Sequence, residues 1–304
     1  MKKIVINTAI FAIGMLLSFN SCKKSEMSAT AVTLLSTIQN DPSLTIFSTI
    51  ERTSGDDSLI NKAMAVIVPN DSAFVNGGIS AAIAGTLSQA ACDSIVKYYT
   101  IPGGINLSRT ANAQLPFVTN LNVPIYADSA ATALYFNGAA AVSPVPVTVS
   151  TSSIYKLTQF VNLPVASLAQ AIAADNSLSF FAEAFTRTNL AASLTSGSYT
   201  LFAPTNNAFI NAGYPDIASI DAANITALTQ ILLYHVVAKN YFANDLVHQT
   251  SLTTLQGEAI QLMTGSGGFQ LVGASDPSFP AGLLNMGIPA GNVFAYKINN
   301  VLLP

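Results

Sequence analysis

Residues 64–79 read MAVIVPNDSAFVNGGI and residues 199–214 read YTLFAPTNNAFINAGY. They are two versions of one stretch. Laid 135 positions apart, Pro69 meets Pro204, Ala73 meets Ala208, Phe74 meets Phe209, Asn76 meets Asn211 and Gly78 meets Gly213. Each version holds a short apolar strand, a proline that ends it, and polar residues suited to capping a helix that opens with Ala-Phe. Further matches lie on either side in the same order. NDPSLTIF at 40–47 matches ADNSLSFF at 174–181, and SIVKYYTI at 94–101 matches QILLYHVV at 230–237. The two copies close on VNLP at 161–164 and VLLP at 301–304. Repetition of whole blocks at one period is the mark of repeated structural units.

The chain therefore reads as tandem domains, residues 31–164 and 165–304, with the second opening on a helix near Ser167. Each copy is expected to place two or three helices in its first two thirds and strands in the rest. In the second copy SLTTLQGEAIQLMT (251–264), FQLVGA (269–274) and NVFAYKINNVLL (292–303) read as strands. GSGG between Thr264 and Phe269 reads as a hairpin turn, since a phosphate loop would need a lysine and a following helix. Helices followed by strands give an α+β class.

The N-terminus carries a different signal. Lys2 and Lys3 precede an apolar run from Ile10 to Leu17, then Ser18, Phe19, Asn20, Ser21 and Cys22. A basic start, a short apolar core and small residues before a cut describe a secretory signal peptide over 1–21. The run falls short of the roughly 20 apolar residues that span a bilayer. Cys22 sits where a lipoprotein's acylated cysteine stands, although Phe19 is bulkier than the leucine usual in that motif. The other reading is an ordinary cleaved signal with a chance cysteine. Residues 22–30, with KKSEMSA at 23–29, form a short polar tether to the membrane. Lys23 and Lys24 are not the Asp that retains many lipoproteins at an inner membrane. The expected address is thus the outer membrane, cell-surface exposed, with the periplasmic face as the alternative.

Composition narrows the partners. Removing Lys2 and Lys3 with the signal leaves 10 basic against 15 acidic residues, a mature charge of −5. Without a basic cluster beyond the tether there is no electrostatic footprint for nucleic acid. Charged residues are only 9% of the chain, well below the usual quarter. The surface must be covered largely by hydroxyls and amides. Once Cys22 is acylated, Cys92 has no partner for a disulfide. With His235 and His248 the only histidines, there is little scope for a metal site, and no cofactor motif is present.

The blocks YTLFAPTNNAF, LLYHVV and KINNVLLP resemble those of the fasciclin domain, nearly end to end in the second copy, with the first copy a diverged version. The resemblance implies a wedge-shaped, β-sandwich-like sheet system with helices packed along one side. It implies cell adhesion, matrix attachment or surface binding without catalysis. Pro204, Thr205, Asn206 and Phe209 fall in its first structural motif. Its Tyr-His pair, linked to receptor binding in animal members, maps onto Tyr234 and His235. Copy one has Tyr99 at the histidine position. The family's Asp-Ile pair, implicated in integrin recognition, meets Gly287 and Ile288 here, so the acid is missing. The closing strand's histidine is replaced by Tyr296.

Residue spacing gives His235 a second reading. On a helix starting near Asp221, Leu228, Ile231, Leu232 and His235 share one face, which makes His235 a core histidine, expected to bond the Thr205–Asn207 turn. By the same alignment Cys92 faces Leu228 and reads as a small core hydrophobe. His248 reads as a solvated loop or strand residue, and Asp56–Asp57 lack the spaced oxygens of a calcium loop. No nucleophile elbow accompanies His235, so the chain is not expected to be an enzyme. Tyr241 and Phe242 are the candidate exposed aromatics beside the Tyr-His pair, with packing under a loop as the other reading. Two binding roles follow. One is an adhesion protein holding the cell to a matrix polymer, surface or neighbouring cell, its partner an extracellular or envelope protein or polysaccharide. The other is an envelope accessory capturing a glycan or apolar nutrient for uptake.

Overall fold

The computed structural model describes residues 32–106, 114–130, 133–165, 167–194, 197–265, 268–285 and 287–304. The expected signal peptide, Cys22 and the expected tether lie outside the described residues. Residues 32–304 form one compact unit built from two copies of the same plan.

The first copy begins with helices α1 (Leu34–Gln39), α2 (Thr45–Ser54) and α3 (Asp57–Lys62), then strand β1 (Ala65–Pro69). Helices α4 (Asp71–Asn76), α5 (Ala81–Ala84) and α6 (Gln89–Tyr99) follow. Strands β2 (Thr100–Ile101), β3 (Leu115–Val118), β4 (Pro124–Ala130), β5 (Ala133–Phe136), β6 (Ala139–Ala140), β7 (Val147–Val149) and β8 (Ser152–Leu157) complete it. The second copy repeats the order. Helices α7 (Leu168–Ala173) and α8 (Ser179–Arg187) lead to β9 (Tyr199–Pro204), then α9 (Asn206–Asn211), α10 (Ile217–Ala222), α11 (Ile225–Tyr234), β10 (Val236–Val237) and α12 (Ala243–Leu246). The strands β11 (Ser251–Thr253), β12 (Ala259–Gly265), β13 (Gly268–Val272), β14 (Ala281–Gly282), β15 (Ile288–Ala290) and β16 (Val293–Ile298) end it.

Each copy has one mixed and one antiparallel sheet, in matching strand order: β2-β1-β8-β7 and β3-β4-β5-β6, then β10-β9-β16-β15 and β11-β12-β13-β14. The opening strand pairs in parallel with the closing strand, Pro69 opposite Leu157 and Pro204 opposite Ile298. The layers of the second copy follow from the period of two along a strand. Leu201, Ala203 and Val293 face a helix-side core with Phe181, Phe209, Leu228 and Leu232. The alternate residues Phe202, Phe294, Tyr296 and Ile298 face the second sheet through Leu252, Ile260 and Leu271. Strands buried on both faces read as the unbroken apolar runs seen in the sequence. Two sheets face to face with helices along one side give the α+β, sandwich-like architecture in tandem.

The helices are shorter and more numerous than the sequence reading expected, because turns and caps divide them. The helix carrying Tyr234 starts at Ile225, capped by Asn224, rather than near Asp221. SLTTLQGEAIQLMT splits into β11 and β12 around a turn at 254–258, and residues after Ile298 leave the sheet. β12 and β13 pair antiparallel out to Gly265 and Gly268, as the GSGG turn required.

Matched contacts hold the helices to the mixed sheet. After the strand-ending proline, Asn70 and Thr205 cap their own helices through Ala73 N–H and Ala208 N–H. The next residue reaches a remote helix start. Asp71 accepts from the N–H groups of Thr45 and Ile46, and Asn206 accepts from Phe180 N–H at 2.9 Å. Lys156 pairs with Asp41 at 3.0 Å and Lys297 with Asp175 at 2.7 Å. Burial alone would raise these two carboxyls, yet serine and lysine hydrogen bonds hold both below their ordinary value.

Copy one pays for its divergence at Glu51. This residue aligns with Phe185 and is fully buried on α2. Its Oε2 accepts from Gln39 at 2.9 Å, while Oε1 has no hydrogen-bond partner among the described residues. Burial pushes the carboxyl up to about 7, with Asp57 adding to the effect. The native state therefore holds this proton more tightly than the unfolded chain does. Its stabilising contribution is complete below the ordinary carboxyl range and is lost as pH rises through about 7. Glu51→Gln is expected to raise the urea midpoint at about pH 8 and leave it unchanged near pH 4. Equal midpoints at both would show that this carboxyl is not a buried charge.

Candidate functional site

The Tyr-His pair lies where α11 ends and β10 begins. Asn224 caps this helix through Ala227 N–H at 3.0 Å, and Leu228 and Leu232 seat it in the helix-side core. That leaves the two polar rings at its C-terminal end, facing inward. Tyr234 and His235 are fully buried.

Each ring fastens a different part of the fold. Tyr234 Oη donates to Ala259 O at 2.9 Å, on β12 of the second sheet, and accepts from Ala274 N–H at 3.1 Å, where the chain leaves β13. His235 Nε2 accepts from Leu302 N–H at 2.9 Å. Because the backbone group can only donate, Nε2 must be unprotonated, and the proton sits on Nδ1, bonded to Ile231 O at 2.7 Å. Both ring nitrogens are satisfied in the neutral tautomer alone. Burial drives the imidazole down to about 4. The sequence expectation of a core histidine holds, but its partner is the closing segment and not the Thr205–Asn207 turn. In that turn Thr205 is spent on capping α9 and Asn206 on the start of α8.

Copy one builds the same joint from different atoms. Tyr99 Oη donates to Val161 O at 2.6 Å, and Tyr98 Oη accepts from Asn137 Nδ2 at 2.9 Å. Both phenols are buried and raised by it. Cys92 is fully buried and its thiol is raised by burial, in keeping with a core hydrophobe.

The aromatic pair after the helix does not form an exposed platform. Phe242 is buried, with its ring edge-on to Phe294 at 4.8 Å and Tyr126 of the first copy 5.7 Å away. Tyr126–Phe242 is part of a contact between the copies. Gln114 donates to Asp245 at 2.6 Å, Asn244 to Asp128 at 3.3 Å, and Asn162 to Gly287 O at 2.8 Å. Tyr241 is half-buried. Its N–H donates to Thr200, its carbonyl accepts from Tyr296 Oη, and Lys239 Nζ stands 4.8 Å over its ring. The first copy thus covers the surface where an external partner would meet Phe242. Tyr234, His235 and Phe242, expected as binding residues, are interior groups with no face toward solvent.

Pro204 is buried at the end of β9, and Phe209 is buried between Phe180 and Tyr214. Gly287, at the missing-acid position, has φ +86 and lies against the Phe294 ring, which a side chain would strike. An aspartate there would collide with the core. His248 is exposed after α12, its N–H bonded to Asp245 O. Among the described residues no cluster of three His, Cys, Asp or Glu side chains is placed to hold a metal, and no helix is long and apolar enough to cross a membrane.

The exposed aromatic that sequence reading missed is Phe279, 65% exposed in the β13–β14 loop. A signal was available. It sits in SDPSFPAG among prolines and polar residues, with no apolar neighbours at helix or strand spacing.

Comparison with known proteins places residues 176–304 in a match to the Fasciclin domain. Immunogenic protein MPB70 of Mycobacterium bovis is 37% identical over 116 residues, covering 38% of this chain and 55% of that protein. Cell surface glycolipoprotein MPB83 of the same species is 36% identical over 122 residues, covering 38% and 48%. The match therefore spans about half the length of these relatives. A Synechocystis sp. protein described only as uncharacterized is 32% identical over 130 residues, 42% of this chain and 91% of its own length. A solved FAS1 domain pair from the insect cell adhesion molecule fasciclin I aligns with TM-score 0.42 and 15% identity over 86% of this chain and 96% of that one.

The burial of His235 sets a pH dependence. Its folded value lies below the unfolded 6.5, so its contribution is complete above 6.5 and is lost as pH falls toward about 4. The loss amounts to about 3 kcal/mol. His235→Phe is expected to cost about 2 kcal/mol at neutral pH by orphaning Leu302 N–H, and to abolish this slope of stability with pH. Urea midpoints measured between neutral pH and about pH 4 check both; an unaltered slope in the variant would contradict the assignment.

Proposed function

The chain belongs to the fasciclin domain family, and from that premise we propose that it is a lipid-anchored, non-catalytic surface-binding protein of the cell envelope. It holds the cell to a matrix polymer, surface or neighbouring cell. The observation that carries this reading is the family match over residues 176–304. The name of the M. bovis relative, a cell surface glycolipoprotein, supports the same address. The N-terminal pattern ending at Cys22 supplies the anchor, in an outer membrane and facing outward. The first copy, residues 31–164, stands next to the membrane, and the second, 165–304, bears the outward surface.

Non-catalysis has a local argument. A general base needs a ring nitrogen free to take a proton in reach of substrate. Both nitrogens of His235 are bonded internally, and burial keeps the ring neutral. Binding then falls to the outer surface, where hydroxyls and amides outnumber charges. Such contacts are individually weak. Many copies held on one membrane gain by avidity, which is the advantage of an anchor.

Protease treatment of intact cells, with an antibody to residues 165–304 and a periplasmic control, tests the address. Loss of the signal with survival of the control is expected. Full protection would refute surface adhesion and favour a periplasmic accessory that captures a glycan or apolar nutrient for uptake. Cys22→Ser is expected to move the protein from the membrane to the soluble fraction and to weaken attachment of cells. Retention at the membrane would contradict the anchor.

A further inference from the structure

The copies differ most instructively between the third and fourth strands of their antiparallel sheets. In copy one, Asn137 and Gly138 alone join β5 to β6. In copy two, residues 273–280 stand in that place. The fold closes without this excursion, as copy one shows, so the second sheet's architecture does not demand it.

The loop is folded back onto the closing segment and fixed there. Ser275 N–H and Oγ donate to Leu303 O and Pro304 O. Asn300 Nδ2 donates to Pro280 O at 2.8 Å, and Phe279 N–H closes a turn on Asp276 O. Pro277 and Pro280 restrict the backbone on either side of the tip. This rigid loop presents Phe279 to solvent with 65% of its surface exposed. Between it and α9 lies a pocket of about 160 Å³, whose wall combines Asn211, Asp276, Phe279 and Asn300 with apolar residues of α9 and the closing segment. Among the described residues the Asn211 amide, the Asp276 carboxylate and Asn300 Oδ1 have no side-chain hydrogen-bond partner.

We propose that this pocket binds one ring of a neutral, hydroxyl-rich polysaccharide. This inference rests on the surface-binding reading and names its ligand class. The exposed phenyl face offers a flat apolar platform for the C–H face of a sugar. Around it, unengaged acceptors outnumber donors, which suits a ligand dense in hydroxyl donors. The Asp276 carboxylate and the mature charge of −5 oppose uronate or sulfate polymers. The pocket is small beside ordinary ligand sites, so it holds a single residue of a chain, and strength comes from repetition along the polymer. Fixing the loop beforehand spares the ordering cost of binding.

The test is affinity electrophoresis of the full chain in gels containing neutral glucans, mannan or galactan, with a uronate polymer alongside. At least one neutral polymer is expected to retard the protein. Phe279→Ala should weaken retardation about ten-fold, and Phe279→Trp should retain it, with unfolding temperatures unchanged because the ring is exposed. No retardation by any neutral polymer, retardation by the uronate polymer alone, or equal retardation of Phe279→Ala would overturn the proposal. So would Phe279-dependent binding to an immobilised protein matrix with no polysaccharide bound. Attachment of cells, measured in parallel, separates the two claims. Attachment that needs the protein but is indifferent to Phe279→Ala sinks the sugar site and leaves adhesion standing. Polymer retardation without any attachment defect does the reverse.

Discussion

Leu302 N–H pointing at Nε2 of His235 is the contact around which the second copy is organised. The strand it follows, β16, must return across some ninety residues to lie parallel to β9. Such a closure costs chain entropy before it gains anything. The histidine bond captures the end of the returning segment at the foot of α11, while Tyr234 on the same turn takes hold of the second sheet. Two adjacent rings thereby join helix layer, mixed sheet, closing segment and second sheet. Their burial makes the bonds count, since a buried group left unpaired costs more than a made bond gains.

The first copy shows which feature is essential. There Tyr99 donates to Val161 O, so the direction of the bond reverses while the joint survives. The geometry needs a polar side chain that reaches the closing backbone; it does not need a histidine. The same tolerance runs through the molecule. Asp71 and Asn206 both cap a remote helix, and Lys156–Asp41 repeats as Lys297–Asp175. Where copy one departs further, at Glu51, a carboxyl with an unpaired oxygen stands in a core that holds a ring in copy two.

Much of this was legible in the sequence because it is local or periodic. The block PTNNAF specifies a strand end and a cap, and the repeat made each copy a check on the other. Leu228 and Leu232 announced the buried face of α11. What escaped were facts of long range. The partner of His235 lies 67 residues away, so the nearer turn was preferred. For Phe242 the sequence leaves exposure and packing under a loop both open, because nothing local decides between them; Tyr126, from the other copy, covers it. Phe279 has no apolar neighbours at helix or strand spacing, so no periodic pattern marks it. Its sign was the lack of any pattern, an aromatic placed where no core could use it.

Function then divides cleanly by depth. The residues that carry the family resemblance are consumed in holding the fold, and the proposed recognition falls to a surface loop that the copies do not share. The most direct test of this division is the pair of ring-nitrogen NMR shifts of His235 in the folded chain, from neutral pH down to about pH 5. A buried joint predicts a protonated Nδ1 and a bare Nε2, both unchanged over that range. A ring that titrates near its ordinary value, or exchanges tautomers, would show His235 open to solvent and would return the Tyr-His block to the list of binding surfaces.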